Sequence, residues 1–209
     1  MDKRGTYIVV EGGDGAGKDT QVERLREVFP EGEFVYTREP GGTPLGKELR
    51  EILLHGSRGA VALPTEFFLF LADRAQHVEE VIKPALAAGK HVISNRSWIS
   101  FLAYQVYGRE QLDWKPIVEL SLEKIFRDCP LDLAIILDVP LLVGKERQRA
   151  MGKVPDAMES LPTDFHERIG QAFRTISKTL PHAVLIDASR SKEAVWQDVY
   201  AAVQKTIDS

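Results

Sequence analysis

A run of glycines ending in a lysine, Gly12-Gly13-Asp14-Gly15-Ala16-Gly17-Lys18, followed by Asp19 and Thr20, gathers the residue types best suited to holding phosphate. Its spacing, G-x-x-x-x-G-K, is that of a loop whose backbone N–H groups cradle phosphates where a strand leads into a helix. Glycine tolerates the dihedrals such a loop needs, the helix N-terminus is partly positive, and Lys18 can reach the β- and γ-phosphates of a nucleoside triphosphate. The residue after the lysine is Asp19, where a magnesium-ligating Ser or Thr is usual, so Asp19, Thr20 or water must serve Mg2+. Glu39, before the Pro40-Gly41-Gly42 turn, either ligates metal-bound water or caps the next helix. Asp138 reads as a strand-end turn residue, with a metal-binding carboxylate as the alternative. The five histidines show no ligand spacing.

These side chains need a scaffold, and the apolar pattern supplies one. Tyr7-Ile8-Val9-Val10, Glu33 to Thr37, His91 to Ser94, Leu133 to Asp138 and Ala183 to Asp187 read as short strands, separated by stretches of helical spacing. Val22, Leu25 and Val28 mark the first helix; Leu49, Ile52 and Leu53 the second; Phe68, Leu71 and Ala75 a longer one, with Thr65 as its expected N-cap. Strands alternating with helices predict an α/β fold of three layers, a parallel five-stranded sheet flanked by helices, in one domain over 1–209. From Gly144 to Leu161 the helical pattern breaks at Gly152 and Pro155, which predicts a short mobile lid. The chain of 209 residues is 44% hydrophobic and 28% charged, with a net charge of -4. That balance gives no positive field for a nucleic-acid backbone. No run approaches the roughly 18 apolar residues of a membrane span, and a cytoplasmic protein is expected. Cys129, the only cysteine, excludes a disulfide framework within the chain and reads as a semi-buried filler.

Taken together, Glu11 to Lys18, Thr37-Arg38-Glu39-Pro40-Gly41-Gly42-Thr43, Ala72-Asp73-Arg74-Ala75-Gln76 and Leu102-Ala103-Tyr104-Gln105 resemble the motif series of the thymidylate kinases, in order and spacing along nearly the whole chain. The resemblance implies a P-loop NTPase fold and ATP-dependent phosphorylation of dTMP. Residues Gly12 to Thr20 would hold ATP, and Asp14 would face the acceptor nucleotide. Phe70 would stack on the pyrimidine, Arg74 would read its edge, Arg96 would bind the acceptor phosphate and Tyr104 would lie against the deoxyribose. Arg38, Glu39, Ser100, Phe101 and Gln105 complete the expected acceptor set. A homodimer is expected from the family alone. On composition by itself, Phe70 would be core, Arg74 a solvated helix charge and Tyr104 a core aromatic with a wet tip.

Three departures stand out. The family usually has Asp-Arg and an aromatic residue after the third strand, and this chain has Asn95-Arg96-Ser97, losing a carboxylate that Asp19 could restore. Phe101 occupies a position where the family places a small polar residue, and a phenyl ring cannot hydrogen-bond a base edge. The phosphate loop lacks an arginine at its variable positions, which in the family it resembles goes with a lid that supplies the cation, here Arg147, Arg149 or Lys153. The chemistry expected is phosphoryl transfer by positioning and charge neutralisation, with Lys18, Mg2+ and a lid cation around the transferred group. The departures leave two alternatives: a kinase for dUMP or a 5-modified dUMP, and a nucleotide-binding module with weakened catalysis.

Overall fold

In a computed structural model, the structure describes residues 4–56, 61–152 and 155–208. The apolar runs become five parallel strands: β1 (Tyr7–Gly12), β2 (Phe34–Arg38), β3 (His91–Asn95), β4 (Leu133–Asp138) and β5 (Ala183–Asp187). Their order in the sheet is β2-β3-β1-β4-β5. β1 sits at the centre, with Tyr7 opposite Val92 on one side and Ile8 opposite Leu133 on the other.

Because side chains alternate across a strand, consecutive apolar residues serve opposite faces. Ile8, Val10, Ile93, Ile135 and Leu137 pack under α1 (Lys18–Val28) and α9 (Lys192–Ile207). Tyr7, Val9, Val92, Ala134 and Ile136 pack on the other face, against α2 (Pro44–His55), α3 (Leu63–His77) and α8 (Thr163–Thr179). Cys129 is buried in that second layer, and burial pushes its thiol up to about 11.

α3 begins at Leu63 with Ala62 as its N-cap, three residues before the expected Thr65. Pro64 sits in the first turn, where a missing N–H costs nothing, so the helix starts ahead of it. α3 then runs through a π-helical turn, Val78–Ile82, into α4 (Lys83–Ala87). After β3, α5 (Trp98–Phe101) continues as a π-helix over Leu102–Gly108. α6 (Lys115–Ile125) covers the outer side of this region, and α7 (Leu141–Ala150) carries the first part of the segment expected as the lid. The segment 144–161 is therefore helical up to Ala150, and irregular structure begins only near Gly152, whose φ is 64°. Every strand points its carboxyl end at the same edge of the sheet, where the glycine loop lies.

Candidate active site

The loop after β1 owes its path to glycine. A Cβ on Gly15 would lie 2.2 Å from the carbonyl oxygen of Gly144 in α7, and Gly17, with φ 92°, caps α1 from the left-handed region. Lys18, the first residue of α1, folds back so that its Nζ donates to the carbonyls of Gly12 (3.0 Å) and Gly13 (2.7 Å). Burial, reinforced by the charge of Arg96, lowers its ammonium to about 7.

Facing the loop, β3 ends in Asn95, and Arg96 turns the chain with φ 71°, a strained setting for a residue with a side chain. The turn aims the guanidinium into the cleft. Its Nη2 donates to Asp14 at 2.5 Å, and its Nη1 donates to the Gly12 carbonyl and to the Ser100 hydroxyl. Tyr104 donates its hydroxyl to the other Asp14 oxygen at 3.0 Å, with Arg96 5.1 Å above its ring centroid. Burial would raise the Asp14 carboxyl, but Arg96, Lys18 and Tyr104 outweigh it and hold it below the usual range. Glu11 behaves oppositely: burial raises it, although Ser97 and Ser100 donate hydroxyls to it. Ser97 thus fastens α5 to β1, and it also caps α5 by accepting from the Ile99 N–H.

At the far end, α3 presents Phe70 and Arg74 four residues apart, on one face of the helix. Arg74 and Glu39 form an ion pair at 2.9 Å whose side chains are 3% and 2% exposed. Glu39 takes Arg74 on one oxygen and His77 Nδ1 on the other, and His77 Nε2 meets the Thr37 hydroxyl at 2.6 Å. Burial would raise the Glu39 carboxyl, but Arg74 and His77 outweigh it and lower it. Among the described residues, Arg74 Nη1 is buried without a hydrogen-bond partner. Phe101, also buried, lies with its ring 4.8 Å beneath the Arg74 guanidinium. Its ring also packs against those of Phe67 and Phe70, at 4.9 and 6.3 Å between centroids, so the phenyl group forms an apolar platform under the arginine.

Lys18, Asp14, Arg96, Arg38, Phe70 and Arg74 all line one cleft of about 740 Å³, together with Phe101, Tyr104 and Gln105. Asp19 stands at its mouth, 79% exposed, accepting from Asn95 (2.7 Å) and Arg38 (3.0 Å) on the same oxygen. Thr20 also faces the cleft. Both Glu39 oxygens already have a partner, Arg74 on one and His77 Nδ1 on the other. Asp138 pairs with Arg174 at 3.0 Å. Of the lid cations, Arg147 lines the cleft and donates to the Ala188 carbonyl, whereas Arg149 lines a separate cavity behind the loop. Lys153 lies outside the described residues. The sequence reading missed Arg50, Arg190, Lys192 and Met158, which also line the cleft. Arg50 on its helix carries no signal distinguishing it from a solvated charge.

Comparison with known proteins agrees with this geometry. The family model described as thymidylate kinase matches residues 10–199. The chain belongs to the thymidylate kinase family. A thymidylate kinase of Halothermothrix orenii is 40% identical over 205 residues, covering 96% of this chain and 97% of the relative. That of Bifidobacterium longum is 43% identical over 207 residues, covering 96% and 98%. A crystal structure of thymidylate kinase from Ehrlichia chaffeensis superposes with a TM-score of 0.74 at 29% identity, covering 96% of this chain and 99% of that one. As a thymidylate kinase family member the chain is a nucleoside-monophosphate kinase, a phosphotransferase on the P-loop NTPase fold.

Proposed function

We propose that this chain transfers the γ-phosphoryl group of ATP to dTMP, giving ADP and dTDP. The observation that carries the reading is the cleft itself. Lys18, the phosphate loop and Arg96 line this cleft together with Arg74, whose guanidinium lies over Phe101 and whose buried Nη1 has no hydrogen-bond partner among the described residues. A buried donor without a partner is costly, and a pyrimidine carbonyl would satisfy it. The names of the relatives agree with that substrate.

In this reading Gly12 to Thr20 bind ATP, Phe70 stacks on the base and Tyr104 lies against the sugar. Arg96 and Arg38 hold the acceptor phosphate, whose ionised oxygen attacks the γ-phosphorus. The bond from that phosphorus to the β,γ-bridging oxygen breaks and its electron pair leaves with ADP. No strong general base is needed, because the attacking oxygen carries no proton near neutral pH. Lys18 and Arg147 neutralise the transferred group, which makes Arg147 the lid cation. Hard oxygen donors at Asp19 and Thr20 fit Mg2+, which takes few protein ligands when phosphates supply the rest. When bound, Mg2+ supplies further neutralisation of phosphate charge. The chain acts as one domain whose lid, about 144–161, excludes water on closure. Exposed Phe68 on α3, with Ile117 and Leu120 on neighbouring α6, supports a homodimer through that face. We place the reaction in the cytoplasm.

The test is an ADP-release assay with ATP and Mg2+ against dTMP, dUMP, 5-hydroxymethyl-dUMP, dCMP, UMP and dGMP, with Lys18→Ala as control. Preference for dTMP that disappears in the control is expected. Better turnover of another nucleotide, or none at all, would overturn the reading.

A further inference from the structure

A second buried carboxylate closes the base end of the cleft without lining it. Glu66 in α3 is 5% exposed and receives Arg109 Nη2 at 2.8 Å, Arg109 Nε at 3.2 Å and Gln105 Nε2 at 3.3 Å. Arg109 is pinned in turn, 5.4 Å from the Phe165 ring centroid and with Nη2 3.8 Å from the sulfur of Met158, a lid residue lining the cleft. Glu66, Phe70 and Arg74 recur every four residues and share one face of α3. Phe101 and Gln105, also four apart, share the facing side of the helix after β3.

A glutamine amide carries a donor end and an acceptor end of nearly equal shape, and its neighbours decide which way round it sits. A carboxylate paired with a guanidinium can only accept, so Glu66 claims the NH2 end of Gln105 and leaves Oε1 as the end free for a ligand. Arg74 Nη1 and Gln105 Oε1 then offer one donor and one acceptor. That pair complements a pyrimidine with a carbonyl at C4 and a proton on N3, and opposes cytosine, which reverses both groups.

We infer that Glu66, held by Arg109, is a positioning residue that sets the polarity of Gln105 and thereby makes the acceptor site select thymine or uracil over cytosine. This rests on the proposed reading of the cleft as a dTMP site. Glu66 touches no nucleotide atom; it acts through the amide. The Met158 contact ties the same group to the segment expected as the lid.

The experiment compares dTMP and dCMP kinetics in the wild type, in Glu66→Gln, and in Glu66→Gln with Arg109→Met, which leaves no unpaired buried charge if the single variant folds poorly. Once residue 66 can donate as well as accept, Gln105 can turn over. The ratio of kcat/KM for dTMP to that for dCMP should then fall about 10- to 100-fold, the scale of one mispaired buried hydrogen bond. Most of the change should lie in KM for dTMP, with kcat altered less than about threefold. A folded variant that loses activity equally on both nucleotides, or keeps the ratio within twofold, overturns the inference. A wild type that prefers dTMP keeps the reading of the cleft intact in that event. A wild type without dTMP turnover overturns both.

Discussion

Replacing Glu39 by Gln probes whether this carboxylate serves a metal or a buried cation. The two side chains of the Arg74–Glu39 pair are 3% and 2% exposed, and His77 is buried beside them. Glutamine keeps the volume and removes the charge, so the Arg74 guanidinium stays in the protein interior without its counter-ion. Breaking a buried pair from one side costs about 3–5 kcal/mol, because the remaining charge is left uncompensated. For a chain of this size each kcal/mol moves Tm by about 2–4 °C, so a fall of about 6–20 °C is expected by thermal unfolding. The same variant should raise KM for dTMP more than it lowers kcat, since it frees the arginine that meets the base. The effect should also depend on pH. The Glu39 carboxyl is lowered from 4.5 in the fold, so its contribution is present above that value and lost as pH falls through the lowered one. The gap between wild type and variant should therefore close in acid. A loss below about 1 kcal/mol, together with a raised Mg2+ requirement, would refute the assignment and return Glu39 to the metal.

Three further outcomes follow from the same geometry. With Lys18 near 7 in the empty cleft, about nine-tenths of it is neutral at pH 8. Binding ATP there should take up close to one proton, read as a calorimetric heat that varies with the ionisation enthalpy of the buffer; equal heats in all buffers would contradict it. Arg147→Ala should lower kcat by about 10- to 1000-fold, and Arg149→Ala by less than about threefold, in a steady-state assay; the reverse order would move the catalytic role to Arg149. Phe101→Ala should destabilise by about 3–5 kcal/mol in a denaturant titration, because it opens a cavity under Arg74, and a cost under about 1 kcal/mol would mean the ring is not the platform described.

How far the sequence reached depends on how local each signal is. The central strands β1 and β4 were legible because a strand covered on both faces is apolar along its run, and Tyr7 to Val10 serves both layers in turn. The phosphate loop was legible because its glycines answer to their own backbone. The N-cap of α3 was misplaced by three residues because a proline tolerated in the first turn hides where the helix begins. Which arginine of α7 faces the cleft was not legible, since Arg147 and Arg149 are alike in sequence and only the direction of α7 sends one into the cleft and the other behind the loop.

Side-chain partnerships between distant segments lay furthest from the sequence. Glu39 meets Arg74 and His77 across 35 and 38 residues, and nothing in the intervening pattern announces a buried triad. Phe101 looked like a lost hydrogen bond until the fold put it beneath a guanidinium. Asn95 and Asp19 sharpen the point. Read separately, one is a carboxylate missing after β3 and the other a carboxylate gained after the loop lysine. The parallel pairing of β3 with β1 brings the two within a 2.7 Å hydrogen bond across 76 residues, amide to acid, at the mouth of the cleft. Asp19 thus places a carboxylate one hydrogen bond from the amide of Asn95, and the two departures, 76 residues apart in the chain, meet at one point of the site.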